Sequence, residues 1–181
     1  LWDHQADTGI VAGPVTYTVD GEQYVAVMSG WGSLVQLAGG VFMDPEAGPI
    51  EGRVLVYKLG GEAQLSIPKR ERVLRKPPPS VASAEEIALG KTRYYQQCMG
   101  CHGLSVISGG GTPDLRYSAL LENDGWYQVV LDGILEENGM ISFRDRLSKA
   151  EVSAIRSFVI DKANADWDAA IAAKAGATAT D

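Results

Sequence analysis

The two cysteines of this 181-residue chain are three positions apart, and a histidine follows the second, in the run Cys98-Met99-Gly100-Cys101-His102. The pattern C-x-x-C-H is typical of covalent haem attachment. Thiols at i and i+3 on one helical turn can each bond to a vinyl group of one porphyrin, and the adjacent imidazole then faces the iron. The sequence therefore predicts Cys98 and Cys101 as thioether residues and His102 as an axial iron ligand.

Other uses of this cluster lack what they require. A structural zinc site takes four ligands from Cys and His, and the other histidine of the chain, His4, is far away in the sequence. A thioredoxin-like pair would open a helix after a strand, whereas the segment before Cys98 has a helical pattern. A structural disulfide between Cys98 and Cys101 is the remaining alternative.

A second axial ligand must come from outside the motif, and the candidates are His4, Met28, Met43, Met99 and Met140. Met99 belongs to the attachment turn itself, and the first three precede a proline-rich segment. Met140 lies in a loop between two predicted helices and is the predicted ligand; the alternative is a methionine that fills the core. Thioether and imidazole together fill both axial positions, which suits electron transfer.

Three residues of one segment are predicted to surround the haem. The carbonyl of Pro113 is free to accept a hydrogen bond from the second ring nitrogen of His102, which would fix its tautomer. Leu115 is expected to pack on the ring. Arg116 is expected to pair with a haem propionate through its planar guanidinium, or else to be exposed without a role.

The pattern of apolar residues divides the chain into two parts. Residues 15–19 and 23–28 alternate around Asp20-Gly21, which predicts a hairpin, and residues 53–59 predict a third strand. Ser83 to Glu86 and Ser148 to Glu151 are capping boxes, each of which predicts the start of a helix.

These patterns define four segments. We expect an incomplete β domain over 1–65, a proline-rich linker over 66–80, a helical domain over 81–168 and a flexible tail over 169–181. A further short helix is predicted within 123–133, ending at a glycine. The basic residues of the linker are expected to be solvated, with docking against an acidic surface as the alternative.

Charge and hydropathy exclude two classes of function. Acidic residues outnumber basic ones by 23 to 16, for a net charge of −7, and no basic stripe is available for a phosphate backbone. We therefore expect no nucleic-acid partner. No apolar run reaches the roughly 18 residues that a transmembrane helix needs, so no transmembrane segment is predicted.

Residues 77–181 resemble a class I cytochrome c domain, on the C-x-x-C-H run, Pro113-Asp114-Leu115 and Asn138-Gly139-Met140. Residues 8–17, 20–27 and 53–61 resemble the end of the β-propeller in quinohaemoprotein alcohol dehydrogenases, which are periplasmic enzymes that use pyrroloquinoline quinone (PQQ). The resemblance implies a multidomain chain, with a partial β-propeller blade (an antiparallel β meander) followed by an all-α class I cytochrome c domain.

The resemblance also implies cofactors, partners and a location. In this family an eight-bladed propeller oxidises an alcohol with PQQ and calcium, and a C-terminal cytochrome domain with haem c carries the electrons away. The catalytic aspartate and calcium ligands belong to earlier blades, so we expect a fragment with no catalytic residue of its own. Val11 would approach the PQQ, and Ile141 replaces the proline that usually follows the axial methionine.

The partners implied are the rest of the PQQ propeller domain and an external electron acceptor, either a small redox protein or a quinone-reducing subunit, in the periplasm. Electron transfer is the leading hypothesis for function. The alternatives are a stand-alone alcohol-oxidising enzyme and a haem-based ligand sensor, in which a weakly bound axial methionine gives way to a gas.

Overall fold

The computed structural model describes residues 2–6, 8–30, 39–42, 52–64 and 75–177. Its first part holds an antiparallel sheet of three strands in the order β1-β2-β3, and these strands are β1 (Val15–Val19), β2 (Glu22–Ser29) and β3 (Arg53–Lys58). Asp20 and Gly21 join the first two strands with positive φ angles of 52° and 82°, as a tight hairpin turn requires. The predicted hairpin and third strand are confirmed.

This sheet buries few of its apolar side chains. Leu55 is buried, whereas Val54 is 63% exposed, Val15 is 60% exposed and Val56 is 49% exposed. β-branched residues on a pleated surface normally pack against a second layer. The described part of the sheet therefore presents apolar surface that nothing else in the described chain covers.

The second part consists of helices, and the four α-helices are α1 (Ala84–Gln97), α2 (Met99–His102), α3 (Gly125–Val130) and α4 (Lys149–Ala177). The Ser83 hydroxyl accepts a hydrogen bond from the backbone N–H of Glu86 at 3.2 Å. Ser148 and Glu151 exchange two hydrogen bonds: the Ser148 hydroxyl accepts from the Glu151 N–H at 3.3 Å, and the Glu151 carboxylate accepts from the Ser148 N–H at 2.9 Å. Both predicted helix starts are confirmed, but the reciprocal capping box is found only at Ser148, because the Glu86 carboxylate instead accepts from the Ser157 hydroxyl at 2.8 Å.

The helical core forms where α1 crosses α4. A Cβ atom on Gly90 would lie within 2 Å of the Ala154 carbonyl oxygen, so the two backbones touch at this point. The buried cluster at this crossing includes Tyr94, Leu121, Trp126, Val152, Ile155, Phe158 and Val159. The Trp126 indole donates to the Val152 carbonyl at 3.1 Å, which ties α3 to α4.

Two element boundaries differ from the sequence prediction. α3 spans Gly125–Val130 and is followed by Gly133 in a left-handed conformation (φ 70°), so the predicted helix over 123–133 is present but shorter. α4 continues to Ala177, into the segment predicted as a flexible tail over 169–181. An alanine-rich run has high helix propensity even where its side chains are exposed, and this explains the extension.

The end of the proline-rich linker lies against the helical part. The Asn164 amide donates to the Pro78 carbonyl at 2.8 Å, Ser80 donates to Asp161 at 3.3 Å, and Arg75 is 3.6 Å from Glu122. The linker residues from 75 onwards are therefore held by polar contacts. Within the described ranges, no helix is both long and apolar enough to cross a membrane.

Candidate haem site

The cysteines and the histidine lie on one turn that continues from the end of α1. The backbone N–H groups of Cys101 and His102 both donate to the Cys98 carbonyl, at 3.1 and 2.9 Å. Both cysteines are free thiols; Cys98 is half-buried and Cys101 is exposed. The turn therefore presents two thiols and an imidazole together, which is the donor set that covalent haem attachment uses.

Burial shifts the pKa values of Cys98 and His102. Burial raises the pKa of the Cys98 thiol to about 12, and the nearby Cys101 adds to the shift. Burial also lowers the pKa of His102, although the hydrogen bond to Pro113 and the charge of Asp114 act in the opposite direction. A neutral imidazole keeps a lone pair free for a metal ion.

The orientation of His102 is fixed by Pro113. Its Nδ1 atom is 3.0 Å from the Pro113 carbonyl oxygen, the contact that the sequence predicts. Because a carbonyl accepts, Nδ1 carries the proton, and the lone pair of Nε2 is left free. Thr112 donates from its hydroxyl to the Cys101 carbonyl at 2.5 Å, which fastens this segment to the attachment turn.

Gly103 follows the histidine and allows the loop to fold back closely. It has a φ of 91°, and a Cβ atom there would lie 2.0 Å from the Ile107 carbonyl oxygen. The buried Tyr94 hydroxyl donates to the Gly103 carbonyl at 2.7 Å. Gly103 is not among the residues that the sequence predicts for the site; its position directly after the motif is the one local signal for it.

Leu115 and Arg116 lie in different surroundings, one apolar and one charged. Leu115 is partly buried against the helical core. Arg116 is only 10% exposed and pairs with Asp114 at 2.6 Å and with Asp166 at 2.7 Å. Arg116 is therefore not an exposed residue without a role, because two carboxylates of the chain bind its guanidinium. A contact between Arg116 and a haem propionate stays a prediction.

Met140 is partly buried and packs against the helical core. Its loop is held at both sides: Met140 donates from its backbone N–H to the Leu135 carbonyl at 3.2 Å, and Phe143 donates to Val130 at 2.8 Å. The Ser142 hydroxyl also donates to the Leu131 carbonyl, at 2.6 Å. The loop is thus a fixed support for a thioether, even with Ile141 in place of proline.

Two of the other candidate ligands, Met28 and His4, are exposed in the β part. Met28 is 63% exposed on β2, and His4 is exposed and lies 6.0 Å from the Trp2 ring, centroid to centroid. Met43 lies outside the described residues. Val11, predicted to approach PQQ, is 67% exposed next to the bridge between Ile10 and Gly30.

These residues fit a c-type haem, because two free thiols, an oriented neutral imidazole and a supported thioether are all present. Among the described residues, no group of three or more His, Cys, Asp or Glu side chains could hold a metal ion. Two thiols, an imidazole and a thioether suit an iron carried by a porphyrin, to which the chain need supply only axial ligands.

The comparisons with known proteins agree with this chemistry. Residues 85–159 match the family described as cytochrome c oxidase, cbb3-type, subunit III. Helical fold, attachment motif and family match together define a cytochrome c domain, whose cofactor is haem c.

Relatives extend the similarity to the whole chain. Quinohemoprotein alcohol dehydrogenase ADH IIB of Pseudomonas putida is 42% identical over 92% of this chain and 24% of its own length. The dehydrogenase subunit of the alcohol dehydrogenase (quinone) of Gluconobacter oxydans is 36% identical over 98% of this chain and 24% of its own length.

Solved structures agree. The structure of quinohemoprotein alcohol dehydrogenase ADHIIG from Pseudomonas putida superposes with a TM-score of 0.77 at 37% identity, covering 90% of this chain and 24% of that one. The chain is homologous to a segment of the quinohaemoprotein alcohol dehydrogenases, and it spans about a quarter of the length of the relatives that it matches.

Proposed function

We propose that this chain transfers electrons through a covalently bound haem c, relaying them from the active site of a PQQ-dependent alcohol dehydrogenase to an external acceptor. Haem c supplies an iron that gains or loses one electron at a time. Cys98 and Cys101 would hold the haem through thioethers, and His102, through Nε2, and Met140 would supply the protein ligands of its iron. The observation that carries the proposal is the attachment turn, with His102 already oriented by Pro113 at 3.0 Å.

The chain's own residues account for the steps that a relay needs. The Pro113 carbonyl holds the proton on Nδ1 of His102, so the ligating nitrogen stays free. Met140 packs against the core in the supported loop, and with both His102 and Met140 bound the iron would have no open position for a substrate. A site of this kind changes little when the electron arrives, which favours transfer over binding chemistry.

We further propose how the parts are organised. Residues 1–65 form the end of a PQQ-dehydrogenase-like propeller, 66–80 the linker, 81–168 the cytochrome unit and 169–181 a terminal segment. The uncovered apolar surface of the sheet supports this, because neighbouring blades would cover Val15, Val54 and Val56. Val11 then lies on the PQQ side. PQQ and calcium are cofactors of the larger enzyme. That enzyme lies in the periplasm, where haem c is attached.

Covalent attachment is the property to test first. We expect the protein, produced with a haem-attachment system in the periplasm, to keep its haem after denaturation and to give a c-type reduced spectrum in alkaline pyridine. Cys101→Ser should leave a single thioether and shift that band. Ser105→Ala, nearby and outside the attachment motif, serves as a control. Haem that is extracted by acidic solvent from the unmodified protein would contradict the proposal.

A second measurement tests the relay. In the full-length enzyme, addition of alcohol in the presence of PQQ and calcium should reduce the haem. Carbon monoxide should leave the reduced spectrum unchanged, because Met140 fills the second axial position. Ready binding of carbon monoxide by the unmodified protein would favour the ligand sensor over the electron relay.

A further inference from the structure

Four charged side chains form a continuous network beside the segment that contacts His102, the predicted axial ligand on the proximal side of the haem. We name this network the proximal ion-pair chain, and its members are Asp114, Arg116, Asp166 and Lys162. Arg116 binds both oxygens of Asp114, at 2.9 and 2.6 Å, in a bidentate pair. Its remaining Nη1 donates to Asp166 at 2.7 Å, and Lys162 donates to the other oxygen of Asp166 at 2.6 Å. The four formal charges cancel.

Three side chains of the proximal ion-pair chain are largely shielded from water. The side chains of Arg116 and Asp114 are 10% and 11% exposed, and that of Asp166 is 28% exposed. Charges in such surroundings interact strongly with their neighbours, and removing one partner leaves the other uncompensated. Burial opposes the charge of Arg116, but its hydrogen bonds to the two carboxylates outweigh burial and raise its pKa.

The network connects the histidine to the C-terminal helix. Asp114 directly follows Pro113, whose carbonyl oxygen is 3.0 Å from His102 Nδ1. At its other end the network is anchored on α4, which carries Lys162 and Asp166 one helical turn apart. A displacement of Asp114 would thus move the neighbouring Pro113 carbonyl, which accepts the proton of His102 Nδ1.

We propose that the proximal ion-pair chain tethers the Pro113 carbonyl to His102 and keeps the charge beside this ligand balanced, so that Asp166 and Lys162 set the reduction potential of the iron. The inference rests on the proposed haem function and assigns to α4 a positioning role in it. A negative charge near the iron stabilises the oxidised form and lowers the potential, and a positive charge raises it.

The network makes opposite shifts testable. Asp166→Asn removes a negative charge and should raise the midpoint potential of the holoprotein, whereas Lys162→Gln removes a positive charge and should lower it. The double variant restores neutrality and should return the potential towards that of the unmodified protein. A purely structural role would shift the potential in the same direction in both single variants.

Asp168→Asn is the matched control. Asp168 is exposed on the same helix, two residues from Asp166, and its replacement changes the net charge equally. Its effect on the potential should be smaller than that of Asp166→Asn. Equal shifts for the two, or shifts of one sign for Asp166→Asn and Lys162→Gln, would overturn the proposed setting of the potential.

Arg116→Lys tests the tether separately, because lysine keeps the charge and loses the bidentate geometry. We expect the Nδ1 proton of His102, observed by NMR in the reduced protein, to exchange with solvent at least several-fold faster than in the unmodified protein. Unchanged exchange in a folded variant would overturn the tether. If Arg116→Lys does not fold, Asp166→Asn gives the same exchange measurement on the outer half of the network.

The pyridine spectrum separates this inference from the proposed function. If the unmodified protein carries no covalent haem, the proposed function fails and with it the basis of the inference. If covalent haem is present and the potentials do not move in opposite directions, the inference alone is wrong.

Discussion

Met140 is the residue on which the choice between electron transfer and ligand binding depends. Its side chain packs on the core, in a loop held by hydrogen bonds from Met140 itself and from Ser142 and Phe143. Imidazole and thioether ligation raises the potential of a haem. The identity of this one side chain should therefore be visible in both the potential and the spectrum.

Met140→Ala should lower the reduction potential, abolish the low-spin spectrum of the unmodified protein and allow carbon monoxide to bind the reduced iron. The covalent haem should remain, because the attachment turn is untouched. Met28→Ala, at an exposed position on β2, is the matched control and should change none of these properties. An unchanged potential and low-spin spectrum in Met140→Ala would remove Met140 from the site.

Several residues of the site could be predicted because their chemistry follows from local sequence. The motif places Cys98, Cys101 and His102 on one turn. Pro113 has no backbone N–H, so its carbonyl is the one backbone group that it offers for a hydrogen bond. The role of Arg116 could not be predicted in this way, because its second partner, Asp166, lies 50 positions away and meets it only in the folded chain.

Among the elements, the crossing of α1 and α4 leaves the least room for change. Gly90 touches the backbone of α4, and this contact brings Tyr94 and Phe158 within 5.5 Å, measured between ring centroids. Since α1 carries the attachment turn at its end, the angle of this crossing places the thiols relative to the core.

Gly90→Ala should destabilise the protein by about 2–3 kcal/mol, because the added methyl group forces the helices apart. Gly100→Ala is the control, since a Cβ atom there has nothing within 4 Å. Unfolding in urea, monitored by circular dichroism, measures both variants. Equal stability of Gly90→Ala and the unmodified protein would show that the helices separate without cost.

Capping boxes and strand alternation made most elements predictable. Ser83 and Ser148 mark helix starts because their hydroxyls satisfy backbone N–H groups locally. The turn beyond Gly103 was not predicted, since Ser105 and Val106 adopt positive φ angles of 54° and 65° that neither residue favours alone. Long-range packing of this loop, and not its local preference, determines its path.

On the scale of the whole molecule, the two parts differ in how much they bury. The hydrophobic cluster lies within residues 94–160, whereas the described β part contributes Ala6 and Leu55 to the buried apolar residues. Among the described residues, Gly40 lies close to the helical part, and a Cβ atom on it would be 2.4 Å from the Ser108 carbonyl oxygen.

A chain that begins at Arg75 should therefore fold, bind haem covalently and retain the reduced spectrum of the longer chain. A chain of residues 1–64 should show no cooperative thermal transition, because a small sheet with uncovered faces is marginal in water. Scanning calorimetry and absorption spectra test both. Loss of the haem spectrum on removal of residues 1–74 would mean that the first part stabilises the cytochrome unit.

The half-buried thiol of Cys98 also has a consequence for the order of events during biogenesis. Because burial raises the pKa of the Cys98 thiol, less of it is the reactive thiolate in the folded chain than for an unburied thiol, while Cys101 is exposed. Under the proposed attachment, we therefore expect the bond at Cys98 to form before this end of α1 has folded. A polypeptide that folds before the haem is attached should therefore form the thioether at Cys98 poorly.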